Sequence, residues 1–140
     1  KIAGIAAVPV GDGLWTLRGE PTKMLAMADP ESIPGIDAAV RALCGGRIYT
    51  AASKPHYLEI THPDATKGRA LAFLAGRLGI GRGEVMAIGD SVNDLDMIEY
   101  AGLGVAMGNA SQQVKEAADA VVAANDADGV AAAIEEYVLK

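Results

Sequence analysis

Residues 89–94, Gly-Asp-Ser-Val-Asn-Asp, set two carboxylates four positions apart with an amide between them, directly behind the apolar run "EVMAIG". Asp96 and Glu99 add two more acids just beyond. Carboxylates this close repel one another unless something cationic joins them. Asp90 and Asp94 are hard oxygen donors with no His or Cys beside them. They suit Mg²⁺, which takes one or two protein carboxylates and keeps several waters, and they suit zinc poorly. Asn93 can donate to a ligand oxygen without adding charge. Asp96 and Glu99 read as solvated carboxylates or as first-turn carboxylates that complement a helix dipole. The competing reading of the whole cluster is an ordinary helix start with an acidic first turn.

Lys67 weighs against that plainer reading. It opens a second helical pattern 23 residues upstream of Asp90, where free N–H groups and the positive dipole end already favour an anion. A metal pair at a strand tip and an ammonium at a neighbouring helix start make half of a phosphoryl-transfer site.

Those side chains need a strand and two helices to hold them, and the periodicity supplies these. "DATKGRALAFLAGRLGI" carries Leu71, Leu74 and Leu78 at helical spacing, with Thr66 as N-cap. "EVMAIGD" reads as an apolar strand, "NDLDMIEYAG" as a short helix closed by Gly102 and "LGVAMG" as a second strand. "SQQVKEAAD" follows as a helix capped by Ser111, "AVVAA" as a third strand, and "DGVAAAIEEYVLK" as a last helix capped by Asp128. Short apolar strands alternating with helices imply βα units around a parallel sheet. Ligands of such sheets sit beyond the carboxyl ends of the strands, where "GDSVND" falls.

The first 62 residues have a different texture. "IAGIAAVPV" could be a strand, weakened by Pro9, and "GDG" reads as a turn. "KMLAMAD" (23–29) reads as a buried strand, "PGIDAAVRALCGG" as a helix stopped by its glycines, and residues 47–62 as a hairpin around Lys54-Pro55. The expected division is an α+β unit over residues 1–62 and an α/β unit over 63–140.

The 140 residues are 51% hydrophobic but only 4% aromatic, enough for a core built from aliphatic side chains. The net charge is −6 with no basic run, which disfavours nucleic acid as a partner. No apolar run approaches the ~20 residues of a membrane span and no signal peptide is visible, so the expected compartment is the cytoplasm. The single Cys44 excludes an intramolecular disulfide and reads as a small core residue. His56 and His62 read as surface or core-edge residues, and Trp15 as a packing residue.

From about residue 57 onward the chain closely resembles the C-terminal half of haloacid dehalogenase (HAD) superfamily phosphatases of the Cof-type branch. The resemblance is carried by Lys67-Gly68, by G-D-x-x-N-D followed by Met97, by "GVAMGNA", and by "NDADGV" in that order. "PTKMLAMADPE" and "YLEIT" are similar to the later part of that branch's cap domain. The resemblance implies a Rossmann-like HAD core, three layers around a parallel sheet, with part of an α+β cap. It implies that Lys67 steadies the nucleophile and phosphate, that Asp90 binds Mg²⁺ directly, that Asp94 supports the metal mostly through water, and that Asn93 contacts the phosphoryl group or substrate. The implied reaction is hydrolysis of small phosphate esters, sugar phosphates or similar, through an aspartyl-phosphate.

The family's D-x-D-G-T nucleophile motif has no counterpart in this chain. Asp126-x-Asp128-Gly129 mimics it superficially but is accounted for by the C-terminal "N-x-x-D-G-V" stretch. The expectation is therefore a partial cap plus the C-terminal part of the core, inactive by itself. Its strand "EVMAIGD" would have a bare edge, open to self-association or to an N-terminal piece that completes the core. The alternative is a non-catalytic relative that binds a phosphorylated metabolite or a protein. A receiver-like phospho-acceptor domain does not fit the order of the acidic residues.

Overall fold

The computed structural model describes residues 8–139, and its elements form two separate three-stranded sheets. In chain order they are β1 (Met24–Met27), α1 (Ile33–Cys44), β2 (Tyr49–Lys54), β3 (Tyr57–Thr61), α2 (Lys67–Leu78), β4 (Met86–Gly89), α3 (Leu95–Tyr100), β5 (Leu103–Ala106), α4 (Gln112–Ala117), β6 (Ala120–Val121) and α5 (Gly129–Tyr137). The fold class is α/β. Among the described residues no helix is long and apolar enough to cross a membrane.

The first sheet is antiparallel in the order β1-β3-β2. The expected hairpin is present; its turn is Pro55-His56, one residue later than read, and it pairs Tyr49 with Thr61 and Ala51 with Glu59. Direct partners share a face, so the odd positions of β2 and β3 point one way and Thr50, Leu58 and Ile60 the other. Helix α1 anchors to Thr50. The Thr50 hydroxyl donates to Asp37 Oδ1 at 2.5 Å, and Arg41 donates to Asp37 Oδ1 at 2.8 Å and to the Thr50 carbonyl at 3.0 Å. Thr50 is 3% exposed and Leu58 1%. The helix stops at Gly45, whose φ of 57° is the left-handed value that glycine accepts freely.

Several expectations about this half fail. β1 is a strand but not a buried one: Met24, Leu25 and Met27 are exposed, because β1 is an edge strand and α1 packs on β2 and β3. Trp15 is 84% exposed, on a 3-10 turn spanning Gly11–Thr16 that replaces the simple "GDG" turn. The strand expected over "IAGIAAVPV" falls largely on residues 1–7, outside the described residues. Cys44 ends α1 half-buried, not fully in the core.

The second sheet is parallel, in the order β4-β5-β6. β5 is central, with Val105 and Ala106 fully buried. The core gathers Ile98 of α3, Ala106 of β5, Ala110 of the turn that follows β5 and Val114 of α4, with Leu95 and Ala118 against them. α3 packs on β4 and β5, and α2 packs on α3. β4 is an edge strand of this sheet, and the outward side of α2 leaves Phe73, Leu74 and Leu78 exposed.

The expected caps divide. Thr66 caps α2 through its hydroxyl, which accepts from Arg69 N at 3.3 Å. Ser111 and Asp128 stand at the N-cap positions of α4 and α5 but make no side-chain cap bond. Their backbone carbonyls accept the opening helical bonds, from Val114 and Lys115 N and from Ala132 N. Asp128 has φ 54°, a left-handed conformation unlike the extended one from which a side chain reaches back to the first turn.

Candidate functional site

The site begins where β4 ends. Gly89 closes the strand, Asp90 follows at its tip, and residues Val92–Asp94 make one 3-10 turn that brings Asp94 back beneath the tip. A Cβ on Gly89 would lie 2.5 Å from Asp94 Cβ, so only glycine lets the turn fold this tightly. Asp94 is 4% exposed. Its Oδ2 accepts from the backbone N–H groups of Asp90 at 3.1 Å and Ser91 at 3.0 Å. Its Oδ1 accepts from Lys67 Nζ, which joins the start of α2 to the tip of β4. Burial alone would raise the Asp94 carboxyl, but the Lys67 ammonium and the two N–H donors outweigh it and hold the group below the ordinary carboxylate range.

Asp90 faces solvent and is held from two sides. Ser91 Oγ donates to its Oδ1 at 2.9 Å, and Asn109 Nδ2 donates to its Oδ2 at 3.0 Å. Asn109 Oδ1 in turn accepts from Asn125 N at 3.0 Å. Asp90, Asn109 and Asn125 lie beyond the ends of β4, β5 and β6, so a hydrogen-bonded chain crosses the carboxyl edge of the whole parallel sheet. Asn109 escaped the sequence reading. The rule that strand ends carry the ligand groups, applied to "GVAMGN" as well as to "MAIGD", points to it.

Asp96 stands in the first turn of α3, one of the two places read for it, and does more there. It is not a solvated carboxylate, since its Oδ2 accepts from Gly68 N at 2.8 Å. That bond satisfies a first-turn N–H of α2 and fixes the residue next to Lys67. Gly68 makes the approach feasible: a Cβ there would stand 2.5 Å from the Asp96 carbonyl oxygen. Glu99 remains an exposed residue, as read.

Asn93 lies beside Lys67 on the rim of a cavity of about 80 Å³ that the first sheet helps to line with Tyr49, Glu59 and Thr61. The Asn93 side-chain oxygen is buried without a hydrogen-bond partner. Lys67, Asp90, Asn93 and Asp94 thus converge at one place. His56 and His62 stand apart from it, exposed, with His56 Nδ1 at 3.3 Å from the Ala28 carbonyl and His62 Nδ1 accepting from Asp64 N at 3.1 Å. Among the described residues no three His, Cys, Asp or Glu side chains gather into a metal-binding group.

Comparison with known proteins bears on the family and the fold. The model of the haloacid dehalogenase-like hydrolase family matches residues 15–134. A 5-amino-6-(5-phospho-D-ribitylamino)uracil phosphatase of Bacillus subtilis is 49% identical over 62% of this chain and 35% of its own. A haloacid dehalogenase-like hydrolase from Bacteroides thetaiotaomicron is 40% identical, with a TM-score of 0.75, over 88% of this chain and 46% of that one. A sugar phosphatase structure described as HAD subclass IIB is 28% identical, with a TM-score of 0.72, over 84% of this chain and 44% of that one. The chain thus spans less than half the length of these relatives. A family match over most of the sequence, with the same α/β architecture, makes this chain a member of the haloacid dehalogenase-like hydrolase family.

Proposed function

We propose that this chain is the part of a Mg²⁺-dependent phosphatase that holds the phosphate and the metal, acting on small phosphate esters such as sugar phosphates. The observation that carries the reading is the Lys67–Asp94 pair locked onto the backbone of Asp90 and Ser91 at the carboxyl end of β4. A relative that acts on a phosphoribityl compound and a neighbour described as a sugar phosphatase support the substrate class.

The donor set fits Mg²⁺. Asp90 offers a solvent-facing carboxylate whose orientation is fixed by Ser91 and Asn109, and Mg²⁺ binds through one or two carboxylates plus water and substrate oxygens. When bound, the metal neutralises charge on the phosphoryl oxygens. Lys67 contributes a fixed cation to the same phosphate. Asp94 holds that ammonium in place and shapes the turn that presents Asp90. Asn93 offers its amide to the phosphoryl group or substrate.

The remaining step needs a carboxylate nucleophile, which we assign to a further segment of a longer protein. In this division residues 1–62 belong to a cap and residues 63–140 to the C-terminal part of the core. The open edge of β4 is where that segment, or a second copy of this chain, would pair. The proposed compartment is the cytoplasm, in keeping with one unpaired cysteine.

The test is hydrolysis of a generic aryl phosphate with and without Mg²⁺, by this chain and by an N-terminally extended form. Activity confined to the extended form with Mg²⁺ is the expected result. Inactivity of the extended form under both conditions would refute the reading and favour a non-catalytic binding module.

A further inference from the structure

The segment between β6 and α5 lies so close to the carboxyl end of β5 that two glycines are needed to admit it. Val122 N donates to the Ala106 carbonyl at 3.0 Å, and Gly108 N donates to the Ala123 carbonyl at 3.1 Å. A Cβ on Gly108 would lie 2.8 Å from Ala124 N, and one on Gly129 would lie 2.0 Å from the Ala123 carbonyl oxygen. The chain then turns sharply. Ala127 N at 3.0 Å and Gly129 N at 3.2 Å both donate to the Ala124 carbonyl. Asp128 takes its left-handed φ of 54° there, the kind of outlier that persists where the surrounding structure over-determines it. This path brings Asn125 N to 3.0 Å from Asn109 Oδ1. A carboxamide has one acceptor end and one donor end. With its oxygen on Asn125 N, the Asn109 amide turns its NH₂ end to Asp90 Oδ2, at 3.0 Å.

We propose that the main-chain N–H of Asn125 is a positioning group for the metal-binding carboxylate: the β6–α5 turn fixes the Asn109 amide, and the amide holds Asp90 in a single orientation for Mg²⁺. The inference rests on the Mg²⁺ reading of Asp90 above. Ser91 Oγ holds the other oxygen of Asp90 at 2.9 Å, but Ser91 is the next residue in the chain and fixes the carboxylate only relative to its own loop. Asn109 and Asn125 supply the hold that comes from elsewhere in the fold. Asp90 is exposed, so without that hold its side chain samples several rotamers and the cation must select one, at a cost in affinity. A carboxylate oxygen that accepts one hydrogen bond keeps a further lone pair, so the hold does not compete with the metal. The coupling is reciprocal. A cation that binds the held carboxylate strengthens the link from Asp90 through Asn109 to Asn125 N.

The turn itself supplies the variant. Asn125 is the second residue of the four-residue turn that Ala127 N closes on the Ala124 carbonyl, a position that favours proline. Asn125→Pro therefore suits the turn and removes the N–H, whereas Asn125→Ala keeps the N–H and removes only the side chain. Mg²⁺ alone is titrated into the ¹⁵N-labelled chain and both variants, with affinity by calorimetry, the Asn109 side-chain NH₂ signals and the exchange rate of the Asn125 amide by NMR, and Tm as the check on folding. In the unsubstituted chain Mg²⁺ is expected to shift the Asn109 NH₂ signals and to slow exchange of the Asn125 amide. Asn125→Pro should bind Mg²⁺ about fivefold more weakly at unchanged Tm, and Asn125→Ala should restore the affinity. A folded Asn125→Pro variant with full Mg²⁺ affinity overturns the inference and leaves the Mg²⁺ reading standing. So does an Asn125→Ala variant as weak as Asn125→Pro, or Mg²⁺ binding that leaves the Asn109 and Asn125 signals of the unsubstituted chain unmoved, which decides the matter even where the proline variant fails to fold. Absence of Mg²⁺ binding by the unsubstituted chain overturns the Mg²⁺ reading and the inference with it.

Discussion

Replacing Asp94 by Asn keeps the shape of the side chain and removes its charge, so it isolates what the carboxylate does. In the folded chain Asp94 accepts from three donors: Lys67 Nζ, Asp90 N and Ser91 N. An amide has one acceptor atom. If its oxygen stays with the two backbone donors, its NH₂ group faces the Lys67 ammonium and the ion pair is lost. A hydrogen bond to a charged group contributes about 1.5–3 kcal/mol. Lys67 is half-exposed, so its freed ammonium rehydrates and the larger penalty of a stranded buried charge does not apply. The expected destabilisation is therefore about 2 kcal/mol, or roughly 5–8 °C in Tm for a chain of this size.

The pH profile makes that prediction sharper. The Asp94 carboxyl is held below its ordinary value of 3.8, so the folded state binds its proton more weakly than the unfolded state does. The stabilisation is fully present above the unfolded value, and it is lost as pH falls through the folded value. The gap in Tm between the two proteins should be constant between pH 5 and 8, in thermal melts followed by circular dichroism, and should close on acidification below about 4. A gap under 2 °C at pH 7, or one that widens in acid, would refute the assignment of Asp94 as the ionised anchor of the turn.

Three other outcomes follow from the same geometry. Gly68→Ala places a methyl 2.5 Å from the Asp96 carbonyl oxygen and must push α2 off α3, at a cost of about 2–3 kcal/mol visible in urea unfolding midpoints. Asn109→Ala frees one oxygen of Asp90 and breaks the link to Asn125. Mg²⁺ affinity by calorimetry should fall about tenfold, as for lost partners of metal ligands, with little change in Tm because all three residues are exposed. Thr50→Val leaves Asp37 with Arg41 but removes the hydroxyl that does most to hold its carboxyl below the ordinary value. Stability should drop by about 1 kcal/mol at pH 7, and the difference should vanish as pH falls below about 4.

What the sequence reveals here is what short-range patterns encode. The Thr66 cap, the Gly45 stop, the hairpin near Pro55 and the βα rhythm after residue 63 each rest on a few neighbouring residues, and each appears in the fold. The convergence of Lys67 with Asp90 and Asp94 is also readable, because it follows from a helix start and a strand tip on one edge of a parallel sheet. What escapes depends on packing between distant segments. Asp96 looks like any first-turn acid until α2 lies against α3 and Gly68 N reaches it. Asn109 looks like a loop residue until β5 sits beside β4. The apolar letters of β1 promise burial, but a strand at a sheet edge with α1 packed on its neighbours stays exposed. Glu59 and Thr61 lie on an ordinary-looking strand, and only the hairpin register turns them toward Lys67.

The central claim is that Lys67 and the carboxylates at the tip of β4 form a phosphate-holding half-site. It is tested most directly by calorimetric titration of inorganic phosphate into this chain, with and without Mg²⁺, and into its Lys67→Ala variant. The account predicts binding that Mg²⁺ strengthens, and that the variant loses in both conditions while still folding. Equal phosphate affinity in the chain and the variant, or no response to Mg²⁺, would contradict it.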